Sequence, residues 1–265
     1  MSKKIYFISD LHLGAGTLVN PQDYERRVVR FLAKIQEDCE ELYLLGDIID
    51  FWFEYRKVVP RGFTRFLGKL GEFTDNGIKV HWITGNHDIW IFDYIPSETG
   101  AIVHHEAYTT TLQGKKLFLA HGDGLGEDTL GYKLMAGFFR NKVCQRMFSW
   151  IHPDWAIALA QKWSSHSRLT GSKFPDYLGE DREFIVKFAK EYLKEHQDTD
   201  YLLFGHRHIM LDLMLSRKNR MMILGDWITH FSYAVLEDGN ISLEQFEYLD
   251  DYGQEERTGV SIAIM

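Results

Sequence analysis

Cysteine is nearly absent. Cys39 and Cys144 are the whole complement among 265 residues, which excludes a disulfide framework and a thiolate zinc site and points to a reducing compartment. Proline is scarce too. Its five residues are scattered, so no Pro-rich linker separates independent parts, and no internal repeat is visible. No apolar run approaches the roughly 18 residues of a membrane span. The leading Met-Ser-Lys-Lys has the charge of a signal peptide but not its core, because the run Ile5 to Ile8 is stopped by Asp10. A cytoplasmic protein is expected. Basic residues are outnumbered 30 to 38, for a net charge of −8, which argues against a nucleic-acid partner.

Apolar residues reach 45% and aromatics 14%, enough for a large interior in a single domain over residues 1–265. Short apolar runs alternate with helix-period segments along the first third. Ile5 to Ile8, Leu42 to Leu45 and Val80 to Thr84 read as strands, and 22–37 and 63–74 as helices. This βαβ rhythm predicts an α/β fold with parallel pairing. Further strands are expected at Leu117 to Ala120, Tyr201 to Phe204, Met221 to Leu224 and Ser232 to Leu236, with Val260 to Ile264 a candidate edge strand.

Residues 132–173 differ in character. They hold seven basic residues and one acid, a net +6 within an acidic chain. Met135, Phe139, Val143, Met147 and Ile151 recur every four residues as a helix stripe, Pro153 interrupts, and Trp155 to Trp163 resumes. A helical hairpin inserted into the α/β body is predicted, presenting apolar and basic groups together.

Polar clusters follow the strands: Asp10-Leu-His12, Gly46-Asp47-Ile-Ile-Asp50, Gly85-Asn86-His87-Asp88, His121-Gly-Asp123 and Gly205-His206-Arg-His208. Ligands gather beyond the carboxyl ends of strands in open α/β sheets, so the five clusters can converge. Asp10, His12, Asp47, Asn86, His121, His206 and His208 offer oxygen and imidazole nitrogen without thiolate, a set suited to Mn, Fe or Zn rather than Ca. Seven donors exceed one tetrahedral ion. They suit two ions sharing a carboxylate, with positions left for water and substrate. His87, beside Asn86, is a candidate catalytic proton donor or charge stabiliser. Asp50, Asp88 and Asp123 are candidates to orient a histidine or a water, or simply to cap loops.

The motifs D-x-H, G-D-x-x-D, G-N-H-D, H-x(n) and G-H-x-H resemble those of the calcineurin-like metallophosphoesterases. The resemblance implies an α/β-β/α sandwich of two mixed sheets with a dinuclear site at the strand ends. It assigns Asp10, His12, Asp47 and His208 to one ion and Asp47, Asn86, His121 and His206 to the other, so that Asp47 bridges and an activated water attacks phosphorus in line. The order His121 to Tyr132, the aromatic and basic hairpin, Ser164 to Lys173 and Leu224-Gly-Asp-Trp-Ile228 further resemble the UDP-2,3-diacylglucosamine hydrolases of lipid A biosynthesis. That likeness implies manganese as cofactor and hydrolysis of a lipid-linked UDP-sugar to UMP and 2,3-diacylglucosamine 1-phosphate. It places substrate contacts at Asn86, His87, Asp128 or Thr129, His166, Thr170, Lys173 and His206. Departures from the family pattern fall at His87, Thr129 and His166, where well-known members carry Arg, an acid and Ser.

Phe138, Phe139, Phe148, Trp150 and Trp155 are expected to line an acyl groove. The basic, aromatic surface is expected to touch the cytoplasmic face of the inner membrane transiently. A phosphodiesterase or phosphatase acting on nucleotides or phosphoproteins is the first alternative, but it needs no such hairpin. A non-catalytic scaffold is the second, but it need not keep all seven donors.

Overall fold

The computed structural model describes residues 3–126, 137–170 and 177–246, with side chains at 161 and 163–170 excepted. Strands β1 (Lys4–Ile8), β2 (Cys39–Leu45), β3 (Lys79–Ile83) and β4 (Ile102–His104) run parallel in that order, and β10 (Ser232–Glu237) and β11 (Asn240–Gln245) extend the sheet antiparallel beyond β1. In the second sheet β6 (Lys115–Ala120), β7 (Tyr201–Phe204) and β9 (Arg220–Leu224) are parallel, edged by antiparallel β5 (Tyr108–Leu112) and β8 (Met210–Met214).

The central strands run apolar into their carboxyl ends, where both faces are covered. In β1, Ile5 and Phe7 point between the sheets, where they meet Tyr43, Leu45, Leu119, Leu203 and Met222. Tyr6 and Ile8 point the other way, toward helices α1 (Pro21–Ile35) and α2 (Thr64–Asp75). Val28, Phe31, Leu32 and Ile35 supply the buried stripe of α1 at helical spacing. On the second sheet, Leu202, Phe204, Met221 and Ile223 pack against Ile185, Val186 and Ala189 of the helix Phe184–Glu195. Two mixed sheets flanked by helices result, the predicted class. The parallel strands β1, β2, β3, β6 and β7 deliver their carboxyl ends to one rim.

Several elements differ from expectation. Edge strands β4, β5, β8 and β11, the helix α3 (Tyr94–Thr99) and the helix Phe184–Glu195 carry no expected counterpart. The stripe across 135–151 is not one helix. Asn141 interrupts it, its side chain accepting the N–H groups of Val143 and Cys144 to start α4 (Lys142–Phe148) afresh. Pro153 opens α5 (Pro153–Thr170), as a proline at a helix start should, and Phe184–Glu195 is then α6. Val260 to Ile264 lies outside the described residues.

His81 marks where the sheets' edges meet. Its ring stacks on Tyr43 at 4.5 Å, and its Nδ1 lies 3.0 Å from Nε2 of His104. Burial, and then the neighbouring His104, push His81 down to about 4. An imidazole held neutral by the fold takes up a proton more readily once unfolded. Its contribution is therefore full above about pH 6.5 and disappears as the pH falls toward 4, a loss of about 3 kcal/mol. In urea melts, His81→Phe is expected to flatten that part of the acid profile; an unchanged slope would refute the assignment.

Candidate metal centre

The ends of β1, β2 and β7 hand over their ligands through strained turns. Asp10, His12, Asp47, His206 and His208 all have positive φ, between 44° and 69°. Non-glycine residues rarely hold this conformation without compensation. Here the compensation is a mesh between the loops. Asp10 N–H donates to Gly46 O at 3.0 Å, His12 N–H to Asp47 O at 2.9 Å and Gly205 N–H to His121 O at 2.8 Å. The carboxylate of Asp10 accepts the His206 N–H at 3.0 Å, and Asp47 Oδ1 accepts the His87 N–H at 2.9 Å.

Asp47 Oδ2 is the hub. Nε2 of His121 stands 3.2 Å from it, that of His12 3.8 Å and that of His87 3.9 Å. Alongside, His208 Nε2 is 3.2 Å from both Asp10 Oδ1 and His12 Nε2. Two adjoining groups suited to a cation result, Asp10–His12–His208 and Asp47–His121–His206, with a third at His12–Asp47–His87.

The outer nitrogens decide the tautomers. Nδ1 of His121 faces Leu45 O at 2.9 Å, Nδ1 of His87 faces Asp50 O at 2.7 Å, and Nδ1 of His12 faces Asp50 Oδ1 at 3.2 Å. Those partners only accept, so each Nδ1 carries the hydrogen and the inward Nε2 offers a lone pair. His121 Nε2 is buried with no hydrogen-bond partner. Imidazole nitrogens and carboxylates thus converge on one volume, the arrangement a divalent cation resolves. The residues fit the metal.

The electrostatics agree. Burial alone would raise the carboxyls, yet His208 and His12 hold Asp10, and His121 and His87 hold Asp47, well below the usual carboxylate range. Against burial, Asp10 and Asp226 push His208 up to about 10. Burial and the neighbouring His121 push His206 down to about 4. A proton taken up by these groups uses the same lone pairs as a divalent cation would, so the two would compete.

Of the three aspartates set beside the ligands, Asp50 orients histidines, through its carboxylate to His12 and its carbonyl to His87. Asp88 caps a loop instead. It accepts Gly85 N–H at 2.7 Å, Ile48 N–H at 2.8 Å and Trp82 Nε1–H at 3.1 Å, and burial followed by the charge of Asp47 raises it to about 6. Asp123 lies 3.9 Å from Nη2 of Arg140. Asn86 is exposed on the same turn as His87. Asp128, Thr129 and Lys173 lie outside the described residues, and so do the side chains of His166 and Thr170.

Sequence reasoning assigned no role to Asp226, which stands 3.6 Å from His208 Nδ1 and accepts the N–H groups of Ile228, Thr229 and His230. It also passed over Glu183, fully buried, whose carboxylate takes Arg207 Nε at 2.6 Å and Nη2 at 3.2 Å. Arg207 sits between His206 and His208, so this clamp holds both left-handed turns. Arg207→Ala would strand a buried carboxylate. We expect a loss of about 3 kcal/mol in stability and at least a tenfold weaker metal affinity in chelator competition; wild-type metal affinity would show that the clamp does not position the ligands.

The sequence profile of the calcineurin-like phosphoesterases matches residues 3–210, and the chain belongs to that family. Among individual relatives, a UDP-2,3-diacylglucosamine hydrolase of Porphyromonas gingivalis is 41% identical over 262 residues, covering 94% of this chain and 100% of its own. Similarly described proteins of Nitrosococcus oceani and Haemophilus influenzae are 25% and 27% identical, covering 84% and 89% of this chain and 86% and 95% of theirs.

Proposed function

We propose that the protein hydrolyses the pyrophosphate of UDP-2,3-diacylglucosamine, giving UMP and 2,3-diacylglucosamine 1-phosphate. In this reading Asp10, His12, Asp47 and His208 hold one divalent ion, and Asp47, Asn86, His121 and His206 the other, with Mn2+ the expected metal. When bound, the ions would supply Lewis acidity to the phosphoryl oxygens and ease deprotonation of the attacking water. The chain supplies the rest. His87, fixed at Nδ1 by the carbonyl of Asp50, aims the Nε2 lone pair into the cluster, where it can take up a proton and pass it to the departing oxygen. Asp50 and Asp226 keep the neighbouring histidines in register.

One observation carries the lipid part of the reading. A cleft of about 800 Å³ runs from Asp50 between Leu13, Phe51, Val59 and Phe63 of the body and Ile157 of α5. The wall that orients His12 and His87 is thus also a wall of this cleft, whose apolar side chains are mixed with Glu25, Arg61, Arg65 and Asp154. Each methylene enclosed there contributes about 0.8 kcal/mol, so one acyl chain can dominate affinity. The channel is not lined by the five aromatics expected to form a groove. Phe139 and Phe148 instead pack on Trp90, at 5.3 and 4.7 Å, and pin the insertion to the body.

Phe138, Trp150 and Trp155 face outward, the tryptophans 76% and 74% exposed, among the exposed Arg140, Lys142 and Arg146. No helix among the described residues is long and apolar enough to cross a membrane. An interfacial contact with anionic lipid at the cytoplasmic face suits this surface. The double variant W150E/W155E is expected to bind anionic vesicles at least tenfold less tightly with unaltered thermal unfolding; equal binding would remove the membrane from the account.

The substrate is tested by incubating manganese-loaded protein with UDP-2,3-diacylglucosamine, the unacylated UDP-sugar and a generic phosphodiester. Release of UMP from the acylated compound alone is expected. Equal turnover of all three would overturn the lipid assignment and leave a general phosphoesterase.

A further inference from the structure

The cleft beside Asp50 has two lips. One belongs to the insertion, where His152, Pro153, Asp154 and Ile157 line it and the exposed Trp155 stands 5.9 Å from the His152 ring. The other is the loop 55–62 that leads into α2, of which Val58, Val59, Pro60, Arg61 and Gly62 line the cleft. This loop projects. Tyr55 N–H donates to Val58 O at 3.0 Å, which closes a tight turn with Arg56 and Lys57 at its tip, both exposed, and Val58 half exposed beside them. Val19 adds a further exposed apolar group just ahead of Pro21 and Gln22, which line the same cleft.

The charges on the loop are unmatched. Arg56, Lys57 and Arg61 make no ion pair among the described residues, whereas Arg65, in the first turn of α2, has Glu25 at 3.8 Å. Lys142 and Arg146 of the insertion are likewise unpaired among those residues. Of the acids lining the cleft, Glu25 and Asp50 are buried, and Asp154 has His152 at 3.8 Å. Both lips therefore present free cations beside exposed apolar side chains. In a chain of net charge −8 an anionic surface repels the molecule as a whole, so these groups decide which face approaches it.

We infer that the loop 55–62 is a second membrane contact, set across the cleft from the insertion's tryptophans, so that the protein seats on an anionic lipid surface with the mouth of the cleft against the bilayer; this rests on the lipid-pyrophosphatase reading and the membrane contact proposed with it. Tryptophans on one lip leave the molecule free to tilt. Contacts on both lips do not, because a plane that rests on the two covers the mouth between them. An acyl chain then passes from bilayer to cleft without exposing its methylenes to water on the way. The turn at Arg56 and Lys57 supplies the charge for this, and Val58 and Val19 supply the apolar groups that enter the headgroup layer.

The test is co-sedimentation of the manganese-loaded full chain with sucrose-filled vesicles of phosphatidylcholine, with and without phosphatidylglycerol. R56Q/K57Q is expected to bind the anionic vesicles about 30-fold less tightly, the loss that two cations near such a surface carry, with thermal unfolding unchanged. R217Q/K218Q makes the same charge change on the exposed turn between β8 and β9 and is expected to weaken binding by less than about threefold. Equal binding by the wild type and R56Q/K57Q, or equal losses in the two glutamine variants, overturns the inference. The wider reading fails separately. If W150E/W155E loses the vesicles and R56Q/K57Q keeps them, the tryptophan contact stands and the loop's part is wrong. If both lose them yet the wild type releases no UMP from UDP-2,3-diacylglucosamine, the seating stands and the substrate assignment falls.

Discussion

Asp47→Ala is expected to lower turnover at least about 10³-fold, the largest loss of any single change. Its Oδ2 is the one atom that His12, His87 and His121 all face, and its Oδ1 holds the turn bearing Asn86 and His87 through the His87 N–H. Removing it deletes a shared metal donor and frees that turn together. In the proposed reading, substrate affinity contributed by the cleft beside Asp50 should survive, so the loss falls on kcat rather than KM. A variant that kept a tenth of wild-type turnover would show that Asp47 is not the bridge.

Gly85→Ala should come next, although it removes no functional group. A Cβ at Gly85 would collide with Asp47 Oδ1 and sit 2.6 Å from the Asp47 backbone nitrogen. Neither atom can swing aside, because one is backbone and the other holds the His87 N–H. We expect about 2 kcal/mol of destabilisation and roughly a 10²-fold loss in turnover from displaced ligands. Gly68→Ala, in α2, is the control. Its Cβ would meet nothing within 4 Å, so a helix-favouring gain of up to about 1 kcal/mol with wild-type turnover is expected. If Gly85→Ala behaved like Gly68→Ala, close approach of the β2 and β3 loops would not be what aligns the site.

The candidate ligands were legible because parallel strands covered on both faces read as unbroken apolar runs, and each donor follows the end of one. Ile5 to Ile8 before Asp10, and Tyr201 to Phe204 before His206, announce both strand and rim. Edge strands lack that signal. β5 is Tyr-Thr-Thr-Thr-Leu with exposed positions alternating, and β8 interleaves Asp212 between leucines. The supporting residues were hidden for another reason. Glu183 meets Arg207 across 24 positions, and Asp226 lies 18 beyond His208, separations at which no local pattern speaks. The hairpin left a third point open. Four-residue spacing from Met135 to Ile151 indicates helix, but it says nothing of whether a stripe faces core or solvent, and Val143 and Met147 are exposed.

The central claim is that seven donors from five strand ends hold a pair of ions. Anomalous diffraction from crystals of the manganese-loaded protein measures it directly. Two peaks flanking the carboxylate of Asp47, one beside His12 and His208 and the other beside His121 and His206, are the expected result. A single peak, or peaks away from Asp47, would contradict it.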